Sequence, residues 1–396
     1  MLEEKWHRWV ELEIRKRLVF FIFQHDAQVS LTRFINPNIS YAEVCLPLPA
    51  PKNLWTAKTA LAWKSAFLAK PHHAHPIPSM LDLLQDIDRY VMTRDVFDSD
   101  IATEALLNAT WGLIHEHRQQ WSITSSAPNQ WNNGTILLSS RLTELKRLLE
   151  CLRMGLASDS ARMRIPIEAL SMHLHLSLEE VHLFAGVEGP DEARRVYPNL
   201  REWVRTHSAR QAVWHAGQIV KFARGVTGLR DVNVIAVYQA ALTFWTFGVV
   251  SNANAIATGN VSADTPNSAS GGGGGGGGGS GQGGNEGGRS SDDATVLLNG
   301  NDDLDVQRFI ALNRGRPGIS VPVAAAGVGG SGSATANGGS AATLRRNVLL
   351  SEPEAVMSSL MDMIKTNHRN TQSRPPLVEN LLELMGGLRS AVASSV

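Results

Sequence analysis

Apolar residues recur every three or four positions along most of the first 250 residues, the spacing that aligns side chains on one face of an α-helix. Trp6, Trp9, Val10, Ile14, Leu18 and Phe21 form such a stripe, with Glu11, Arg15 and Lys16 between them, and predict a helix from Trp6 to Phe23. Asn36-Pro37-Asn38 and the proline-spaced Leu46-Pro47-Leu48-Pro49-Ala50-Pro51 predict a loop, because proline lacks an N–H and disfavours the α conformation before it. Helix resumes from Leu54 to Leu68. Ser79 as N-cap, with Asp82 in the first turn, predicts a helix through Met92 striped by Met80, Leu84, Ile87 and Val91.

Further helices are predicted over Ile101–Gln120 and Ile136–Met154, the second with Leu138, Leu142, Leu145, Leu149 and Leu152 on one face. A helix near Ile167–Leu174 restarts at Ser177, where Ser177 and Glu180 have capping-box spacing, and Gly189-Pro190 ends it. Helices near Asp191–Thr206, Ala209–Arg224 and Val232–Val250 follow, and no convincing period-two strand interrupts them. The fold class expected is all-α, a multi-helix domain with glycine-rich disordered insertions. Trp55, Trp63, Trp203 and Trp214 are expected in its core.

The pattern then changes abruptly. Gly271 to Gly279 is an unbroken glycine run, and a second Gly/Ala/Ser tract covers Ala324 to Ala342. Such segments cannot repay the entropy of ordering them. The expected division is an all-α region at 1–250, a disordered Gly/Ser/Asn-rich linker at 251–294, a short segment at 295–317, a disordered Gly/Ala/Ser linker at 318–342, and C-terminal helices at 343–396. Ser351 and Glu354 suggest another capping box, and Pro375-Pro376 precedes a last helix, Leu377–Leu388. Helices this short are marginal alone, so they are expected to dock on the main domain.

A hydrophobic content of 43% is ample for a core, and 37 basic residues balance 37 acidic ones. No long-range field draws the whole chain to a polyanion, which argues against direct nucleic-acid binding. The two cysteines, Cys45 and Cys151, lack metal-site spacing and fit a reducing compartment. Residues 232–250 carry no formal charge and nearly reach membrane-spanning length, but Asn233, Gln239, Thr243 and Thr246 favour a buried core helix. No membrane partner is expected.

Candidate chemistry is sparse. His72, His73 and His75 lie between prolines with no nearby carboxylate, and His173 and His175 alternate near a helix end, where they point apart. Asp82 and Asp86 are one turn apart, the germ of a rival reading as a metal-dependent all-α enzyme, yet no second carboxylate cluster accompanies them. Gly225 and Gly228, with Arg224 and Arg230, form a turn and not a phosphate loop, since no strand precedes them. Arg15-Lys16-Arg17 reads as the solvated face of its helix and not as a nuclear address. The expectation is a non-enzyme with no catalytic, cofactor-binding or metal-ligating residue; a membrane-anchored adaptor through 232–250 is the third reading.

Three stretches carry a family resemblance: WHRWVELEIRKRLVFFIFQHDAQVSL with NPNISYAEVCLPLPAPKNLWTAKTALAW, then LEEVHLFAGVEGPDEARRVYPNLREWVRTHSARQAVWHAGQIVKFAR, then IAVYQAALTFWTFGVV. LLNG, RFIALNRGRPGIS and PPLVENLLELM add shorter pieces. Together they resemble the fungal-specific transcription factor domain, the xylanolytic activator regulatory region, as found behind two-Cys, two-His zinc fingers. The resemblance implies that 1–250 is a regulatory domain in the nucleus, acting in RNA polymerase II transcription through co-regulators or the transcriptional machinery, with homodimerisation an added expectation. Zinc and DNA contact are implied only for fingers, and no finger spacing occurs in this sequence. It also implies a start within the regulatory domain, with helices that pack on Trp6, Trp9 and Phe21 lying upstream.

Overall fold

The computed structural model describes residues 1–69, 76–125, 133–156, 161–258, 294–322, 345–369 and 373–393. Among these the fold is α-helical, with one small sheet. The first layer contains α1 (Leu2–Arg33), α2 (Lys52–Trp55), α3 (Ala60–Ala69), α4 (Met80–Gln85), α5 (Ile87–Met92), α6 (Ser99–Ser125) and α7 (Asn133–Gly155). Next come α8 (Ala161–His173), α9 (Leu178–Phe184), α10 (Pro190–Trp203), α11 (His207–Ala223) and α12 (Asp231–Ala257). Strand β1 (Thr295–Leu297), helix α13 (Leu304–Leu312) and strands β2 (Arg316–Pro322) and β3 (Arg345–Leu349) precede α14 (Pro353–Asn367) and α15 (Pro376–Ala393).

Two hydrophobic cores meet at α8. Phe20, Phe23, Tyr90, Phe97, Trp111 and Leu149 build the first core around α1 and α4–α7. The second surrounds α12 and takes in α9–α15 and the sheet. On α8 the residues divide, with Ile167 and Leu170 entering the first core while Ile165, Ala169 and Met172 enter the second. A helix buried on both sides is thus the joint between the halves.

Helix α12 is apolar all round because it is buried all round. Of its most apolar stretch, 89% is buried inside the protein, so its length and apolar composition are those of a core helix. Two of its polar side chains are used internally: Gln239 Oε1 lies 3.2 Å from His173 Nε2, and Thr243 donates to the Gln239 carbonyl at 2.8 Å. The helix runs on to Ala257, past the expected boundary at 250.

The C-terminal part packs on this centre. β1 pairs parallel with β2, and β2 pairs antiparallel with β3. Strand β2 crosses the boundary expected at 317/318, and the glycine-rich tracts expected as linkers fall in 259–293 and 323–344, outside the described residues. Gln218 of α11 donates to the Leu298 carbonyl at 2.9 Å, Lys221 to the Gly300 carbonyl at 2.8 Å, and Arg210 to the Ile310 carbonyl at 2.7 Å. Gly217 permits that approach, since a Cβ there would overlap the Leu298 backbone. Helices α14 and α15 contribute Leu360, Ile364, Leu382 and Met385 to the second core.

Several local expectations change. The helix expected from Ser79 to Met92 breaks at Asp86 (φ −136°, ψ 83°), so Leu83 and Tyr90 are buried and Val91 is 47% exposed. The Ser79–Asp82 capping box is complete, whereas Ser177 caps Glu180 one way only, because the Glu180 carboxylate accepts from Asn199. Ser351 caps nothing: Glu352 is the N-cap of α14, with no side-chain bond. Gly189 and Pro190 open α10 instead of ending α9, with Gly189 at φ 100°. Trp55, Trp63, Trp203 and Trp214 are half-buried at the core's edge, whereas Trp111 is 1% exposed.

Candidate interaction surface

Helix α1 turns its predicted stripe inward at Trp6, Trp9 and Val10, which are half-buried, but from Glu13 on it buries a different face. Glu13, Phe20, Phe23, Ala27 and Ser30 point inward, while Ile14, Leu18 and Phe21 are exposed, Phe21 by 65%. The inward polar residues are paired. Glu13 Oε1 accepts from the Ala50 backbone N–H at 2.8 Å, and Ser30 accepts from the Trp111 indole N–H at 2.9 Å while donating to the Ile35 carbonyl. A run such as Leu18-Val19-Phe20-Phe21-Ile22-Phe23 is apolar on every side, so burial of that stretch follows the partners that satisfy Glu13 and Ser30.

The basic triplet at 15–17 is mostly internal. Arg17 bonds Glu13 at 3.1 Å, Asp98 at 3.0 Å and the Ala50 carbonyl at 2.7 Å, and its guanidinium lies 4.6 Å over the Trp55 ring. Lys16 pairs with Glu13 at 2.9 Å. Only Arg15 is exposed, so a solvated basic face is not what this triplet forms. The proline loop is held down instead, burying Leu48 and Ala50.

What remains outside is an apolar face on α1 formed by Ile14, Leu18, Phe21 and Ile22 beside Arg15. Scattered exposed apolar residues are ordinary, but Ile14, Leu18, Phe21 and Ile22 share one side of the helix, an arrangement of the kind that protein contacts use.

The residues considered for metal chemistry are occupied or apart. His72, His73 and His75 lie outside the described residues. His173 points to Gln239 and the Trp111 ring, whereas His175 lies 3.1 Å from Ser208 Oγ and stacks on His215. Burial pushes His173 down to about 3 and His175 down to about 2. Asp82 accepts from the Ser79 backbone and hydroxyl, which hold its carboxyl below its ordinary range, and Asp88 is paired with Arg147 at 2.6 Å. No group of three His, Cys, Asp or Glu placed to hold a metal occurs among the described residues. Sequence spacing missed a buried cluster in which Glu168 joins Arg153 at 3.0 Å and His215 at 2.8 Å, since its members come from α7, α8 and α11.

Comparison with known proteins points to gene regulation. The chain is 37% identical to zinc finger protein klf1 of Schizosaccharomyces pombe over 63% of its length and 34% of that protein's. It is 23% identical to Transcription factor 1 of Elsinoe fawcettii over 66% of its length and 30% of that protein's. A transcription factor of Zymoseptoria tritici is 25% identical over 62% of the chain and 28% of its own length. The chain therefore spans about a third of the length of the curated relatives it matches. No family model matches, and no solved structure matches. The chain is similar to fungal transcription factors, and this similarity supports a role in regulating transcription.

Proposed function

We propose that this chain is the regulatory domain of a fungal zinc-finger transcription factor, of the fungal-specific xylanolytic-activator type. In this reading it works in the nucleus on RNA polymerase II transcription, through contacts with co-regulators or the transcriptional machinery. Zinc and DNA contact belong to fingers and not to these residues. The observation that carries the reading is the exposed apolar face of α1, in a chain similar to proteins named as transcription factors.

The test tethers the full chain to an unrelated DNA-binding domain upstream of a reporter. The fusion is expected to change reporter output several-fold, and Leu18→Glu with Phe21→Glu to abolish the change. Because both side chains are exposed, the pair should leave urea stability within about 1 kcal/mol of wild type. Reporter output at baseline from a nuclear, folded fusion would sink the reading. If the same variants instead convert a dimer to a monomer in sedimentation, the patch receives a second copy of the chain.

A further inference from the structure

A separate cleft of about 340 Å³ opens between α1, α6, α8 and the N-terminus of α12. Its volume is at the lower end of the range of small-molecule sites. Two carboxylates, Glu104 and Asp231, and two guanidinium groups, Arg162 and Arg230, line it together with Asn233. The cleft therefore shows both signs of charge in equal number, and a ligand of one charge alone leaves half of it unanswered.

The polar groups have open valences. Asn233 is 7% exposed, and its Oδ1 is buried with no hydrogen-bond partner. A buried acceptor without a donor costs about 1 to 3 kcal/mol, so the site calls for one. Burial raises the Glu104 carboxyl above its ordinary range, although a hydrogen bond from Gln24 opposes the rise. On the same wall, Pro166 lies inside α8 and has no N–H, so the Arg162 carbonyl loses its usual helical donor. Helix α12, 27 residues long, begins here with Arg230 as an N-cap that makes no side-chain bond and Asp231 in its first turn, so free backbone N–H groups stand at this end. Phe21, Leu107, Met163 and Val232 supply an apolar wall.

We propose that this cleft binds a small zwitterion with an apolar side chain, such as a free aliphatic or thioether α-amino acid. Its ammonium meets Glu104 and Asn233 Oδ1, its carboxylate meets Arg162, Arg230 and the start of α12, and its side chain lies against Leu107 and Met163. The cleft shares Phe21 with the α1 face, but Glu104 and Arg162 lie on α6 and α8 and outside that face, so their variants test the cleft apart from the reporter assay.

The experiment is isothermal titration and thermal melting of the full chain with L-leucine and L-methionine. 3-Methylbutylamine and 4-methylpentanoate, which each keep one of leucine's charges, are run beside them. Saturable binding of at least one amino acid is expected, with each single-charge analogue at least about tenfold weaker. Glu104→Gln and Arg162→Ala should each lose at least about tenfold in affinity. Arg162 is exposed, so its removal keeps the fold. No binding of either amino acid at about 10 mM overturns the proposal. So does equal binding by the amine alone, or undiminished binding in both variants.

Discussion

The guanidinium of Arg17 donates to Asp98 Oδ2 at 3.0 Å and so ties the middle of α1 to the residue that leads into α6. Glu13 and Asp98 are each 1% exposed; Asp98 is charge-paired by Arg17, while Glu13 also has Lys16 and the Ala50 N–H. Removing one partner of a buried pair strands the other in low dielectric. Arg17→Met is expected to destabilise the chain by about 3 to 5 kcal/mol in urea unfolding, and it should free the proline loop for proteolysis near Ala50.

Buried histidines set an acid limit. Burial carries His175 from its ordinary value of 6.5 to about 2, helped by repulsion from His215, Lys146 and His207, and His173 to about 3. The unfolded chain takes up these protons at a higher pH than the folded chain, so stability is fully present above about pH 6.5 and declines as pH falls below it. His175→Asn is expected to flatten the slope of unfolding free energy against pH between 6 and 4 by roughly one proton, ~1 kcal/mol per pH unit. An unchanged slope in pH-dependent urea titrations would show that His175 charges freely in the native state.

Gly248 is where α12 meets the turn before α14. A Cβ at this position would overlap the Leu350 carbonyl oxygen, which is backbone and cannot swing aside. Gly248→Ala is expected to cost about 1 to 3 kcal/mol and to expose α14 and α15 to protease before α1–α7. Hydrogen exchange resolved by segment checks the order.

Much of the fold was legible along the chain. Helix positions for α6, α7, α11 and α12 follow from apolar spacing, and on α7 Leu138, Leu145, Leu149 and Leu152 are buried as that spacing predicts. The Ser79–Asp82 box is likewise local, because its groups sit three residues apart. The strands were not legible. β1 and β3 have three and five residues, and each is defined by pairing with β2, a relation that no local pattern encodes.

The faces and the cleft belong to the tertiary structure alone. Periodicity picked the wrong face of α1 from Ile14 to Phe21 because apolar residues surround Phe20, and the choice fell to Glu13 and Ser30, whose partners come from distant loops and from Trp111. Glu104, Arg162 and Asn233 stand on three helices and share a cleft only when α6, α8 and α12 pack. A sequence determines where helices can form because backbone hydrogen bonds and side-chain spacing are local. Which side each helix buries, and which charges then face one another, depends on satisfying every polar group at once, and only the packed chain does that.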